Sequence, residues 1–228
     1  MQAPPFGISL LLLMLVHCIA PAGMAQSYPF RHLTTADGLL SDQRIRMAED
    51  HMGRLWIASD EGINVFDGQS LTSYSYPDHS GLLHNNITQI YCDKNGVIWV
   101  AHNKGIQYLL PAAQQFLTLS LPAPLNPEDL LMGETDTALI VLSRTGCYTV
   151  DGEYRVRTTE WMNDIIIQHG FPLSIEKLSN DEWLWGCDKG LLRVSLAQQQ
   201  VVRLYPYLQA WAIQKMNDSL VLCGSFSR

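Results

Sequence analysis

The stretch Asp50–Gly68, D-H-M-G-R-L-W-I-A-S-D-E-G-I-N-V-F-D-G, returns 43 residues further on as Asp93–Tyr108, D-K-N-G-V-I-W-V-A-H-N-K-G-I-Q-Y. Asp50, Gly53, Trp56, Ala58, Gly62 and Ile63 fall on Asp93, Gly96, Trp99, Ala101, Gly105 and Ile106 without a gap. A repeat of about 40–45 residues that holds several short strands is the mark of a β-propeller blade. Each unit is too small to hide its own apolar faces, so it must stack on its neighbours. The expected fold class is therefore all-β, built from four-stranded blades.

Local chemistry supports four strands per unit. Ile45, Met47 and Glu49 alternate along one strand, and Asp50–Gly53 closes a tight turn in which glycine supplies positive φ. Leu55-Trp56-Ile57-Ala58 is an unbroken apolar run, as expected for a strand covered on both faces. Gly62–Phe66 and the more polar Leu71–Tyr76 complete the unit. Gly38-Leu39-Leu40 also recurs, as Gly81-Leu82-Leu83, so the repeat includes this lead-in.

Later copies are less regular. Ile140–Tyr148 fits the tryptophan strand without its tryptophan, with Asp136 marking the turn before it. Asp181–Leu192 restores Asp181, Trp185 and Gly190, and a fifth unit opens at Asn217–Ser225. Gly62, Gly105, Gly146 and Gly190 are spaced by 43, 41 and 44 residues. The expected blades are 38–80, 81–122, 123–165 and 166–208, with a fifth starting at 209–228. Four to five blades give an incomplete ring, expected as the amino-terminal piece of a longer propeller. The alternative is a five-bladed ring completed by strand exchange.

The amino terminus differs in kind. Ile8–Ala20 is a 13-residue apolar core followed by Pro21 and the small stretch Ala22-Gly23-Met24-Ala25. It reads as a signal peptide, residues 1–25, too short for the roughly 18 residues of a membrane span. Cys18 lies within it. Export leaves Cys92, Cys147, Cys187 and Cys223, none in a zinc-type spacing, and buried free thiols are the expectation. No cofactor or metal is expected. Net charge of −7 without a Lys/Arg cluster argues against nucleic-acid contact.

Trp56, Trp99 and the turn aspartates Asp50, Asp93 and Asp181 recur with the repeat, which makes them packing and turn residues rather than sugar platforms or acid catalysts. Recognition is better sought where the repeat breaks. His102 and Asn103 replace Ser59 and Asp60 between strands of the second unit. Trp161, Asp164 and His169 lie in an insertion, and Trp211 follows the irregular Tyr205-Pro206-Tyr207. The ligand-contact candidates are His102, Asn103, Trp161, His169 and Trp211.

The pattern D-x-x-G-x-[LI]-W-[IV]-A-x-x-x-G-[IL], preceded by G-L-L, resembles the two-component regulator propeller repeat. Phe30–Asp42, F-R-H-L-T-T-A-D-G-L-L-S-D, is also similar to the start of that family's sensor regions. The resemblance implies the periplasmic sensor of a hybrid two-component histidine kinase. Such a protein has two seven-bladed propellers, an immunoglobulin-like domain and a membrane span ahead of a cytoplasmic kinase, and its sensor binds oligosaccharides. The implied partners are an oligosaccharide or other small periplasmic ligand, the remaining blades, and a second copy in a homodimer. The rival readings are a secreted carbohydrate-active propeller enzyme, which would need convergent catalytic groups at the ring centre, and a scaffold remnant with no activity of its own.

Overall fold

Four antiparallel sheets of four strands, each a simple up-and-down meander, follow one another along the chain. In the computed structural model residues 32–225 are described, so the signal segment and Cys18 lie outside the described residues. The first blade is β1 (Arg46–Glu49), β2 (Leu55–Ala58), β3 (Ile63–Phe66) and β4 (Leu71–Tyr74). The second is β5 (Ile87–Cys92), β6 (Ile98–His102), β7 (Gly105–Leu109) and β8 (Leu117–Thr118). The third is β9 (Leu130–Glu134), β10 (Ala138–Ser143), β11 (Gly146–Asp151) and β12 (Val156–Thr158). The fourth is β13 (Pro172–Lys177), β14 (Glu182–Cys187), β15 (Gly190–Ser195) and β16 (Gln200–Pro206). A two-stranded sheet, β17 (Ala210–Asn217) with β18 (Leu220–Ser225), follows. The sheets meet through their first strands, β1 with β5, β5 with β9, β9 with β13 and β13 with β17, and the described residues form an arc without ring closure. This is the expected incomplete propeller.

One element is not a strand. The insertion holding Trp161 and His169 forms helix α1 (Glu160–His169), which buries Met162 and Ile165 against the third and fourth blades. Asn163 Oδ1 accepts the Cys147 amide at 2.8 Å, tying the helix to β11.

Strand pairing explains why each unit repeats its glycine. The second and third strands of a blade join through Ser59–Gly62, His102–Gly105, Ser143–Gly146 and Cys187–Gly190. Gly62 has φ +128°, and a Cβ there would sit 2.5 Å from the Tyr74 carbonyl, so neither the conformation nor the space admits a side chain.

Counting from those pairs, Trp56 and Trp99 are equivalent, but the fourth blade has Leu184 at that position and the third Ile140. Trp185, read from the sequence as the repeat tryptophan, is one residue out of phase. In a strand that places it on the opposite face. The displacement has a packing logic. Trp56 and Ala58 of the first blade pack on Ile98 and Val100 of the second, and Trp99 and Ala101 on Leu139 and Val141 of the third. At the next interface the sizes are exchanged: Ile140 and Leu142 present the small surface, and Trp183 and Trp185 come from the fourth blade to fill it. Gly133 makes the room, since a Cβ there would lie 2.6 Å from the Trp183 ring.

The spacing of six between aspartate and tryptophan also has a cause. Asp50 Oδ1 accepts the amides of Met52 and Arg54 at 2.9 and 3.0 Å, while Oδ2 accepts the buried Trp56 indole N–H at 2.9 Å. Asp93 repeats this with Asn95, Val97 and Trp99 at 2.8, 3.0 and 2.9 Å. One carboxylate thus closes the turn and satisfies the indole donor that burial would otherwise leave unpaired. Burial works to raise the Asp50 carboxyl, but these bonds together with that from Arg54 hold it below its ordinary 3.8. Asp181 departs from the expected turn role. It lies two residues before Trp183, too near to reach an indole in this way, and its carboxylate instead accepts Ser195 Oγ at 2.8 Å and the Ala197 amide of the next turn. The Trp183 and Trp185 indole nitrogens are buried without an acceptor among the described residues. Asp136 does lie in the turn before β10, but Thr135 Oγ1 caps it, accepting the Thr137 and Ala138 amides.

The G-L-L lead-in is held by an amide side chain on the third strand. Asn64 accepts the Leu40 amide at 2.8 Å and donates to the Gly38 carbonyl at 3.1 Å; Gln107 does the same for Leu83 and Gly81 at 2.9 and 3.0 Å. The third and fourth blades have Tyr148 and Leu192 two residues after their glycines, and no G-L-L lead-in ahead of their first strands.

The four cysteines among the described residues are free thiols, but not all are buried. Cys147 and Cys187 are enclosed, and burial pushes them up to about 11 and about 12. Cys92 is partly covered, and Cys223 is exposed on β18, contrary to the expectation. Iodoacetamide on the native chain is expected to label Cys223 alone on the time scale of minutes, with the other three reacting after denaturation; mass spectrometry of the alkylated peptides checks this.

Candidate functional site

The pairing registers sort every turn onto one of two edges. Arg46 opposes Ala58, Ala58 opposes Ile63, and Ile63 opposes Tyr74. First-strand starts, second-to-third-strand turns and fourth-strand ends therefore share one edge, here the upper face. The other two turns of each blade share the lower face. Adjacent blades keep this sense. At the top, the Ile87 amide donates to the Ser59 carbonyl at 2.9 Å, and Arg144 pairs with Asp129 at 3.1 Å and Asp188 at 3.7 Å. At the bottom, the Lys94 amide donates to Glu134 at 3.0 Å, and the Lys177 ammonium lies 3.4 Å from Asp136.

All five candidate residues map to the upper face. His102 and Asn103 form the β6–β7 turn, α1 joins the end of β12 to the start of β13, and Trp211 is the second residue of β17. Their surroundings differ. His102 is fully enclosed: Nε2 bonds Gln107 Oε1 at 2.8 Å and Nδ1 accepts the Lys104 amide at 3.0 Å. Gln107 Oε1 also accepts the Leu83 amide, so His102 donates from Nε2, and neither ring nitrogen is left for a ligand. Asn103 is exposed at the turn, Trp161 is half-buried against the core between the third and fourth blades, and Trp211 is half-exposed. His169 ends α1 beside Lys189 and Arg203; burial first, then those two cations, hold it below its ordinary 6.5.

One hollow of the upper face lies where the fourth blade meets β17. It holds about 470 Å³ and is lined by Asp188, Lys189, Arg203, Tyr207 and Gln209. Sequence reading passed over Lys189 and Arg203: they stand 14 residues apart and are joined only by the pairing of β15 with β16. The irregular Tyr205-Pro206-Tyr207 was the available signal. A second upper hollow, about 310 Å³, lies among Arg44, Arg46, Asn86, Thr88 and Glu128. On the lower face a hollow of about 410 Å³ lies among Leu178, Glu182, Lys215 and Asn217, and one of about 60 Å³ among Asp93, Glu134 and Tyr154; a further one, about 660 Å³, opens among Tyr74, Asp78, Ser80 and Gln115. Among the described residues no three His, Cys, Asp or Glu side chains are grouped to hold a metal.

His102 gives a pH prediction. Burial, the larger effect, outweighs the Gln107 contact and lowers its pKa. The unfolded chain therefore takes up this proton first on acidification. Neutral His102 contributes its full share of stability above pH about 6.5 and loses it as pH falls below. Urea unfolding at pH 7.5 and 5.5 is expected to show a larger drop for the native chain than for His102→Asn. Equal drops would contradict the assignment.

Residues 81–104 match the family described as two component regulator propeller, so the second blade carries that repeat. No curated protein sequence matches the chain. Among solved structures, it resembles the extracellular domain of a protein assigned as a hybrid two component system, BT3049, from B. thetaiotaomicron, at 19% identity and TM-score 0.68, over 87% of this chain and 30% of that one. A second such domain, BT4673 of the same organism, matches at 18% identity and TM-score 0.64, over 87% and 27%. A catalytically inactive virginiamycin B lyase from Staphylococcus aureus matches at 15% identity and TM-score 0.60, over 82% and 65%. The chain spans about a third or less of the length of these two extracellular domains.

Proposed function

We propose that this chain forms part of the ligand-sensing propeller of a hybrid two-component sensor kinase. In this reading it is exported and faces the periplasm as the extracytoplasmic part of an inner-membrane protein. There it detects a glycan fragment whose arrival controls transcription. The observation that carries the reading is the family repeat in the second blade, on an arc shared with extracellular domains of two-component systems. The upper face supports it, because the repeat-breaking turns and the helix collect there beside hollows of about 470 and 310 Å³. The chain's role is binding; further blades and a second copy of the protein are the proposed partners, and any kinase activity belongs to the longer protein. A lyase uses the same fold, so the test must separate the two.

Thermal denaturation of the purified chain against a panel of oligosaccharides makes that separation. One class is expected to raise Tm progressively with concentration, adding about 2.7 kcal/mol of stability at 100 times its Kd, with the sugar recovered intact. Cleavage of the sugar would establish an enzyme, and a flat response to every class would refute glycan sensing.

A further inference from the structure

We infer that the hollow bounded by Lys189, Arg203 and Tyr207 receives an acidic oligosaccharide, one whose sugars carry carboxylate or sulfate; this rests on the glycan-sensing reading above.

The charge is local and runs against the chain's composition. The protein carries a net charge of −7. Yet Lys189 and Arg203 line one hollow, with His169 close enough to feel both. The one carboxylate there, Asp188, is shared with Arg144 at 3.7 Å. A hollow with two permanent cations and a partly neutralised acid favours an anion over a neutral sugar.

The cations are also held in place. A guanidinium nitrogen of Arg203 donates to the Lys189 carbonyl, and Gln209 Nε2 donates to the Asp188 carbonyl at 3.0 Å. The Lys189 ammonium donates to the Gln168 carbonyl at 3.3 Å. These bonds fix the β14–β15 turn against the end of β16 and leave further N–H donors on both cations. The flat fork of an arginine suits the paired oxygens of a carboxylate or sulfate.

Tyr207 supplies the sugar-facing surface. It sits at φ +74°, in the left-handed region that a bulky residue rarely adopts, and its side chain is 90% exposed. Strained residues of this kind gather at ligand sites, and this strain holds an aromatic face at the hollow's rim. Such a face suits the apolar side of a sugar ring while the polar edge meets Arg203 and Lys189.

Calorimetric titration of the full chain with galactotetraose, tetragalacturonate and sulfated galactotetraose tests this. One or both acidic sugars are expected to bind at least tenfold tighter than the neutral one, and which of them does so identifies the anion. Arg203→Gln is expected to remove that preference. Tyr207→Gly is expected to weaken the acidic sugar several-fold while leaving Tm unchanged or higher, because glycine accepts the backbone conformation. Equal affinity for acidic and neutral sugars, or full acidic binding by both variants, would overturn the acidic-ligand inference alone. Binding to none of the three, alongside a flat panel in the thermal test, would overturn the glycan reading with it.

Discussion

Asp93→Ala is expected to destabilise the chain by about 4 kcal/mol, because it strands the buried donors of Val97 and the Trp99 indole at roughly 1–3 kcal/mol each. For a domain near 200 residues this lowers Tm by on the order of 10 °C. Asp151→Ala is the internal comparison. Asp151 accepts the Glu153 and Arg155 amides at 3.0 and 3.1 Å and closes a turn in the same way, but it serves no indole and its turn is exposed. Its loss should cost about 1 kcal/mol, the scale of a lost cap. The two variants together separate turn closure from indole satisfaction. Placing Asp93→Ala in a Trp99→Phe background should recover part of the loss, since the orphaned indole is gone. Equal losses for Asp93→Ala and Asp151→Ala would show that the tryptophan link carries nothing.

The exchange of sizes at the third interface predicts a non-additive pair. Gly133→Ala pushes a methyl against the Trp183 ring from a distance of 2.6 Å, with the tryptophan only 3% exposed and unable to yield. Overpacking of this kind costs about 1–3 kcal/mol. Trp183→Leu alone should cost about 3 kcal/mol through the cavity it leaves. The double variant is expected to lose at least about 1 kcal/mol less than the sum, because the smaller leucine makes the room the alanine needs. Strict additivity in a denaturation cycle would mean that the two positions do not meet.

The fold was legible in the first two blades because each motif residue has a local task with a fixed reach. Asp93 must lie six residues before Trp99 to serve both its turn and its indole, and Gly62 must be bare beneath the Tyr74 carbonyl. Such tasks recur at a constant period and show in one sequence. The fourth blade was read one residue out of phase because residue type was matched without strand parity: Trp185 resembles the motif, while the pairing of Leu184 with Arg193 sets the register. Helix α1 had no counterpart in the first unit, and its two buried residues, Met162 and Ile165, span a single turn, too little periodicity to signal a helix. Asn64 and Gln107 were passed over as ordinary strand residues, although their amides explain why G-L-L travels with the repeat.

The candidate site was legible as a face and not as a set of contacts. Breaks in the repeat picked out Asn103, Trp161, His169 and Trp211, whose positions share one edge as a consequence of the meander alone. His102 drew notice for replacing Ser59, and the structure gives the replacement a structural task in the Gln107 network. Lys189 and Arg203 carry no motif; only the hairpin of β15 with β16 brings them together.

Hydrogen–deuterium exchange across the whole chain, with and without the oligosaccharide that raises Tm most, tests most directly the claim that ligands are taken on the upper face. Protection is expected at the upper turns near residues 102–105, 143–146 and 187–190 and along 205–211, with the lower turns near 50–53, 93–96 and 135–137 unchanged. Protection confined to the lower turns would contradict the account.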